Sequence, residues 1–261
     1  MESVHLEKRQ TFVDEALRIL DAAKSEGVIL RVIGAVALDL HVKHKESKLV
    51  DLMCKRMISD LDFVCYGKQY KQVISLLEKF GYVFDRRYAM HAADRIILTS
   101  EDESKPKVDI FLDKLEFCHT IEFTKNHRLE VDCPTISVSD ILLEKTQIVE
   151  LNEKDVIDII LLFAEHDIGN DDDDKINLDY VNSYLAEDWG FYYTVTSNLK
   201  KIRDQSLSKY ALDSDESALI RSRIEALLHG IEEAPKSLKW KMRAKVGPSK
   251  RWYKDVEECA R

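Results

Sequence analysis

Apolar residues recur at helical spacing over residues 6–26: Phe12, Ala16, Ile19, Leu20 and Ala23 share a face, and Gly27 stops the run. The next apolar stretch, Val28 to Ile33, is short and ends at Gly34, which predicts a buried strand. Ala35 to Val42 predicts a helix carrying Val36, Leu38 and Leu40, and His44 to Met57, polar and then mixed, predicts a loop or short helix. Ile58–Cys65 predicts a second strand, and Lys68–Phe80 a helix with Val73, Leu76, Leu77 and Phe80 inward and Gly81 as its stop. Three strand-like runs follow at Tyr82–Tyr88, Arg95–Thr99 and Val108–Leu112, then two shorter ones at Thr120–Phe123 and Leu129–Val131.

Beyond Pro134 the pattern changes. Ser137–Val149 and Glu153–His166 predict two helices, with Ser139 and Asn152 as N-caps. The acidic run Asp171, Asp172, Asp173 and Asp174 predicts a linker near 170–175, and the remainder to Arg261 keeps a helical pattern. The layout is therefore α+β: a small mixed β-sheet core with flanking helices over 1–133, then a helical C-terminal region over 134–261.

Composition narrows the function. With 261 residues, 45% hydrophobic and 33% charged, the chain can bury one large core or two small ones, which excludes wholesale disorder. Only 8 Gly and 4 Pro disfavour a turn-rich all-β fold. A formal charge of −9 argues against a general nucleic-acid coat. The five cysteines are scattered without a C-x-x-C, which predicts buried or reduced thiols in a reducing compartment. No apolar run approaches the about 18 residues of a membrane span, and the N-terminus has no apolar signal core. A cytoplasmic protein without a membrane partner is the expectation.

The chemistry concentrates at Asp60-Leu61-Asp62. On a strand, residues i and i+2 share a face, so both carboxylates project together. Adjacent carboxylates repel, and a hard divalent cation resolves the conflict; Mg²⁺ takes one or two carboxylates plus substrate phosphates. Asp109, between Val108 and Ile110 on a later strand, is placed as a third ligand, whereas Asp113, nearer the strand end, is expected to meet solvent. Gly34, at a strand-to-helix junction, permits close backbone approach, and the helix start behind it attracts phosphate.

This order (strand, Gly34-Ala35, helix, strand with Asp60 and Asp62, strand with Asp109) resembles the DNA polymerase β-like nucleotidyltransferase superfamily. Ile33-Gly34-Ala35-Val36-Ala37-Leu38 followed by Ser59-Asp60-Leu61-Asp62-Phe63 looks most like its minimal and abortive-infection (AbiEii-like) members. Those members often carry a helical lysine and then a basic-Asp-x-x-Asp stretch; here Lys145 precedes Lys154-Asp155-Val156-Ile157-Asp158, and the match spans about residues 28–166. The resemblance implies a catalytic set of Asp60, Asp62 and Asp109 holding two Mg²⁺ ions, with an NTP as substrate. It implies nucleotide contacts from Gly34, Ala35, Ser59 and Lys145. A hydroxyl of a small molecule, an RNA or a protein would attack the α-phosphorus, with loss of pyrophosphate, and Asp109 would serve the acceptor-side metal. Two departures stand out: Ala35 replaces a Gly or Ser, and the Gly34–Asp60 interval is stretched. They keep a second reading open, a non-catalytic nucleotide- or RNA-binding protein on the same fold.

Near the C-terminus Lys236, Lys239, Lys241, Arg243, Lys245, Lys250, Arg251 and Lys254 interleave with Trp240, Trp252 and Tyr253. Basic side chains with stacking aromatics suit RNA, which makes 236–254 a candidate RNA contact. The competing expectation, which the pattern favours, is a terminal helix docking its aromatics on the core with lysines in solvent. His91, His119 and His127 recur at no metal-ligand spacing and are expected to be surface or hydrogen-bonded residues.

Overall fold

The computed structural model describes residues 2–42, 48–55, 58–84, 95–210 and 212–255. The chain forms two compact units. The first comprises Met1–Lys43, Val50–Leu115 and Glu122–Ser137; the second comprises His44–Leu49, Glu116–Ile121 and Val138–Arg261. In chain order the elements of the first part are α1 (Glu2–Ser25), β1 (Leu30–Ile33), α2 (Gly34–His41), α3 (Lys48–Lys55), β2 (Asp60–Cys65), α4 (Tyr70–Lys79), β3 (Tyr82–Phe84), β4 (Arg95–Ser100), β5 (Lys107–Leu112), β6 (Lys114–Glu116) and β7 (Thr120–Glu122). Residues 85–94, where the third predicted strand continues, lie outside the described residues, as does His91.

The first unit is built on a five-stranded mixed sheet of order β1-β2-β5-β4-β3. β2 and β5 are parallel, and the other neighbours are antiparallel. Strand pairing puts Leu30, Val32, Leu61, Phe63, Val108, Ile110, Ile96 and Leu98 on one face, and all are buried. α1 packs against β1 and α4, and α4 against β3, so the helical stripes predicted from spacing bury Phe12, Ala16, Ile19, Val73, Leu76 and Leu77. The strand expected at Leu129–Val131 is instead part of a 3₁₀ segment, Lys125–Glu130, in which Asn126 and His127 adopt left-handed backbone. Buried Arg128 donates to Ser137 Oγ there, a tertiary contact that three alternating residues cannot announce. The exposed His127 ring stands 3.1 Å from Glu130 Oε1.

The second unit holds α5 (Val138–Thr146), α6 (Glu153–Glu165), the two-residue strands β8 (Ile168–Gly169) and β9 (Ile176–Asn177), α7 (Leu178–Leu185), α8 (Trp189–Lys201), α9 (Ser214–Glu233) and α10 (Leu238–Val246). Asn152 caps α6 as expected, its side chain accepting Asp155 N at 3.0 Å. Ser139 is not a cap: it lies inside α5, buried, and its Oγ accepts Asn177 N at 2.7 Å. The acidic run 171–174 lies between β8 and β9 within this unit. α6 buries eight residues in a row, Val156 to Phe163, and Arg223 of α9 donates to its last carbonyls, Phe163 O at 3.0 Å and Ala164 O at 2.7 Å. Asp213 and Glu216 close a capping box on α9. Among the described residues no helix is long and apolar enough to cross a membrane.

The aromatics of the C-terminal basic stretch face inward. Trp240 meets Tyr192 edge-on at 5.0 Å, and Trp252 meets Tyr193 at 4.9 Å. Lys236 sits over the Tyr192 and Trp240 rings and donates to Ala234 O at 2.7 Å, its burial pushing its pKa down. Arg243 lies over Trp189 and donates to Gly247 O and Lys250 O. Cys65 and Cys118 are buried free thiols and Cys133 an exposed one. Burial, with Asp113 nearby, pushes the Cys65 thiol up to about 12.

Trp252 Nε1 donates to Thr194 Oγ1 at 3.0 Å, and Thr194 Oγ1 stands 2.9 Å from His119 Nε2, whose ring stacks on Phe191. An indole N–H occupying the threonine oxygen leaves its hydroxyl proton for the imidazole, which suits a neutral ring. Burial lowers the His119 pKa to about 4, with Asp188 opposing and Lys254 reinforcing. The folded form thus refuses a proton that the unfolded chain accepts near its ordinary value. Stability is complete above pH about 6.5 and is lost as the pH falls towards 4, by up to about 3 kcal/mol. Denaturant titrations between pH 7.5 and 4.5 should show this slope, and His119→Gln should flatten it.

Candidate metal centre

The second face of the sheet carries the acids. Parallel pairing of β2 with β5 places Asp62 directly opposite Asp109 and Asp60 opposite Lys107, while Ile33 at the end of β1 faces Asp62 from the other side. Asp60 and Asp62 share this face because the pleat has a period of two, as their spacing predicts. One oxygen from each of Asp60, Asp62 and Asp109 lies within 4.8 Å of the other two. Ser59 Oγ donates to Asp60 Oδ1 at 2.8 Å, so its hydroxyl holds the first of the three acids.

Gly34 follows Ile33 and opens α2 at φ +66. A Cβ there would stand 3.0 Å from Asp62 Oδ2. Glycine is required twice over, for the left-handed turn and for the close approach of backbone to carboxylate. The N-cap, Ile33, has no polar side chain to close the helix start, and Ala35 follows in a first turn free of acids.

Asp109 is fully buried, and its Oδ2 carries two cations: Arg95 of β4, through a short ion pair, and Lys107 Nζ at 3.3 Å. Arg95 also lies over the Phe111 ring, 5.2 Å from its centroid. Asp109 Oδ1 is buried with no hydrogen-bond partner among the described residues. A carboxylate oxygen left so inside a protein is costly unless something binds it, and the surrounding donor set is all oxygen. The residues therefore fit a hard divalent cation.

Sequence reading missed Arg95 and Lys107. A basic residue opening a strand reads as solvent-directed, and only the pairing of Ile97 with Asp109 puts Arg95 on the acid face. Asp113, expected to meet solvent, follows β5 at φ +64 and is half-buried, its Oδ1 accepting Gly67 N at 2.8 Å. Lys145 and Asp158 belong to the second unit, where they pair at 3.3 Å, with Glu144 3.4 Å from the same ammonium. All three are buried or nearly so.

No family model matches the chain, and a search of curated proteins finds no significant match. Among solved structures, the solution structure of the antibiotic-resistance factor ANT(2″)-Ia aligns with a TM-score of 0.35 at 10% identity, covering 85% of this chain and 96% of its own. A crystal structure of ANT(2″)-Ia in complex with adenylyl-2″-tobramycin gives 0.34 at 10%, covering 83% and 98%. Likeness at this level leaves the site to be judged from the chain's own geometry.

The glycine argument has a built-in control. Gly27 also has positive φ, +70, but a Cβ there would meet nothing within 4 Å. Gly27→Ala should cost only the left-handed strain, about 1–2 kcal/mol. Gly34→Ala should cost more and should also displace Asp62, weakening divalent-cation binding where Gly27→Ala leaves it unchanged. Urea denaturation and Mn²⁺ titration of both variants read the difference.

Proposed function

We propose that the protein is a divalent-cation-dependent nucleotidyltransferase, moving a nucleoside monophosphate from an NTP to an acceptor hydroxyl. The observation that carries this reading is the convergence of Asp60, Asp62 and Asp109 beside the Gly34 turn that opens α2. Asp60, Asp62 and Asp109 would hold the cations, Mg²⁺ being the expected one. When bound, such ions neutralise phosphate charge and lower the pKa of a hydroxyl. Gly34 and Ala35 contribute backbone donors at the helix start, where the dipole favours a phosphate. Ser59 fixes the Asp60 carboxylate. The chain's part in catalysis is then positioning and charge compensation, with the hydroxyl and the α-phosphorus held in line and pyrophosphate leaving. Lys145, already engaged with Asp158 and Glu144, is proposed as a nucleotide contact only by resemblance. Acceptors to be tested are small molecules, RNA and protein, the RNA arm including variants in 236–254.

One observation favours a second reading. Arg95 and Lys107 already compensate Asp109, as they would in a protein that binds nucleotide and turns nothing over. Incubation with α-³²P-labelled NTPs, Mg²⁺ and pooled acceptors separates the two. Transfer of label that falls at least 100-fold in Asp62→Asn and Asp109→Asn, with unchanged circular dichroism, supports the transferase. Metal-dependent nucleotide binding without transfer supports the second reading, and transfer undiminished in both variants removes the first.

A further inference from the structure

We infer that Arg95 is an internal counter-cation that a divalent metal must displace from Asp109, so that metal enters together with a nucleotide whose phosphates receive the guanidinium. This rests on the metal-centre reading above and adds an order of events to it. Asp109 is wholly buried, and a buried charge persists only when paired. Arg95 and Lys107 bind the same oxygen, Oδ2, and Oδ1 has no hydrogen-bond partner among the described residues. A divalent ion arriving at Oδ1 therefore meets a carboxylate whose charge is already compensated, next to two positive groups that repel it. The free protein should hold metal weakly.

Arg95 is suited to a change of partner. Its side chain is about three-quarters buried, at 23% exposure, against 42% for Lys107, so solvent screens it less. It is held over Phe111 by a contact with the ring face that does not require Asp109. A guanidinium offers a planar fork of donors that fits phosphate oxygens in pairs, which an ammonium does not. An NTP at the site supplies such an anion at the moment the metal claims Asp109. Metal and nucleotide then bind with positive coupling, and linkage makes that coupling reciprocal.

Mn²⁺ binding, followed by electron paramagnetic resonance with and without a non-hydrolysable NTP, tests this in the wild-type protein, Arg95→Gln, Arg95→Lys, Lys107→Gln and Asp62→Asn. Arg95→Gln should tighten Mn²⁺ at least tenfold in the absence of nucleotide, and should weaken the nucleotide about tenfold in the presence of metal. Arg95→Lys should keep the weak wild-type metal affinity. Lys107→Gln should move metal affinity in the same direction by less, and it carries the test if Arg95→Gln fails to fold. Mn²⁺ affinity unchanged or weakened in both neutral variants, while Asp62→Asn abolishes it, overturns this inference alone. Absence of Asp62-dependent Mn²⁺ binding in every protein, with nucleotide or without, overturns the metal-centre reading and this inference with it.

Discussion

Carboxylates facing each other on adjacent strands are a standing electrostatic cost, and the acid face of the first unit is organised around that cost. At a separation of about 5 Å and an effective dielectric of about 20, each pair of ionised groups repels by about 3 kcal/mol. Asp62 and Asp109 occupy opposed positions in the β2–β5 ladder, with Asp60 two residues away on the same side. Such an arrangement survives only with positive charge close by. Arg95 and Lys107 supply it from the neighbouring strand and from β5 itself. The centre of the opposite face needs no such compensation, because Leu61, Phe63, Val108, Ile110 and Leu98 are apolar and buried there. The sheet thus separates its two tasks by side, with cohesion beneath and charge above.

The second unit handles buried polarity by other means. There, several side chains are satisfied by neutral hydrogen bonds: Thr194 with His119 and Trp252, Ser139 with Asn177 N, Asn198 with the carbonyls of Thr146 and Ile148. Neutral groups pay a smaller desolvation penalty than ions, so these contacts hold helices in register without requiring a counter-charge. Ionic contacts occur beside them, as in the Lys145, Asp158 and Glu144 cluster, where two carboxylates share one ammonium.

Much of this was legible in the chain. Largely apolar runs at Leu61–Cys65 and Val108–Leu112, each interrupted by one Asp, announce strands buried on most of their length, and the spacing of Val73, Leu76 and Leu77 announces α4. The same-face placement of Asp60 and Asp62 follows from the pleat alone. That Asp109 joins them was an expectation drawn from its apolar neighbours and from family resemblance, since nothing local says that β5 lies parallel to β2. Arg95 was illegible for the same reason: its role depends on which strand lies beside which. The segment at Leu129–Val131 failed as a strand because three alternating residues carry too little period, and Arg128 and the left-handed Asn126 and His127 set its course. Ser139 failed as a cap because its hydroxyl is claimed by a backbone amide 38 residues away.

The pairing of Asp62 with Asp109 has a bearing on how such a chain can vary. A one-residue slip between β2 and β5 would set Asp62 against Val108 or Ile110 and turn one partner through the sheet, so insertions inside these two strands are forbidden by geometry. The helix that Gly34 opens is held to the same frame, because α2 packs on β2 with Val36, Ala37 and Leu38 buried.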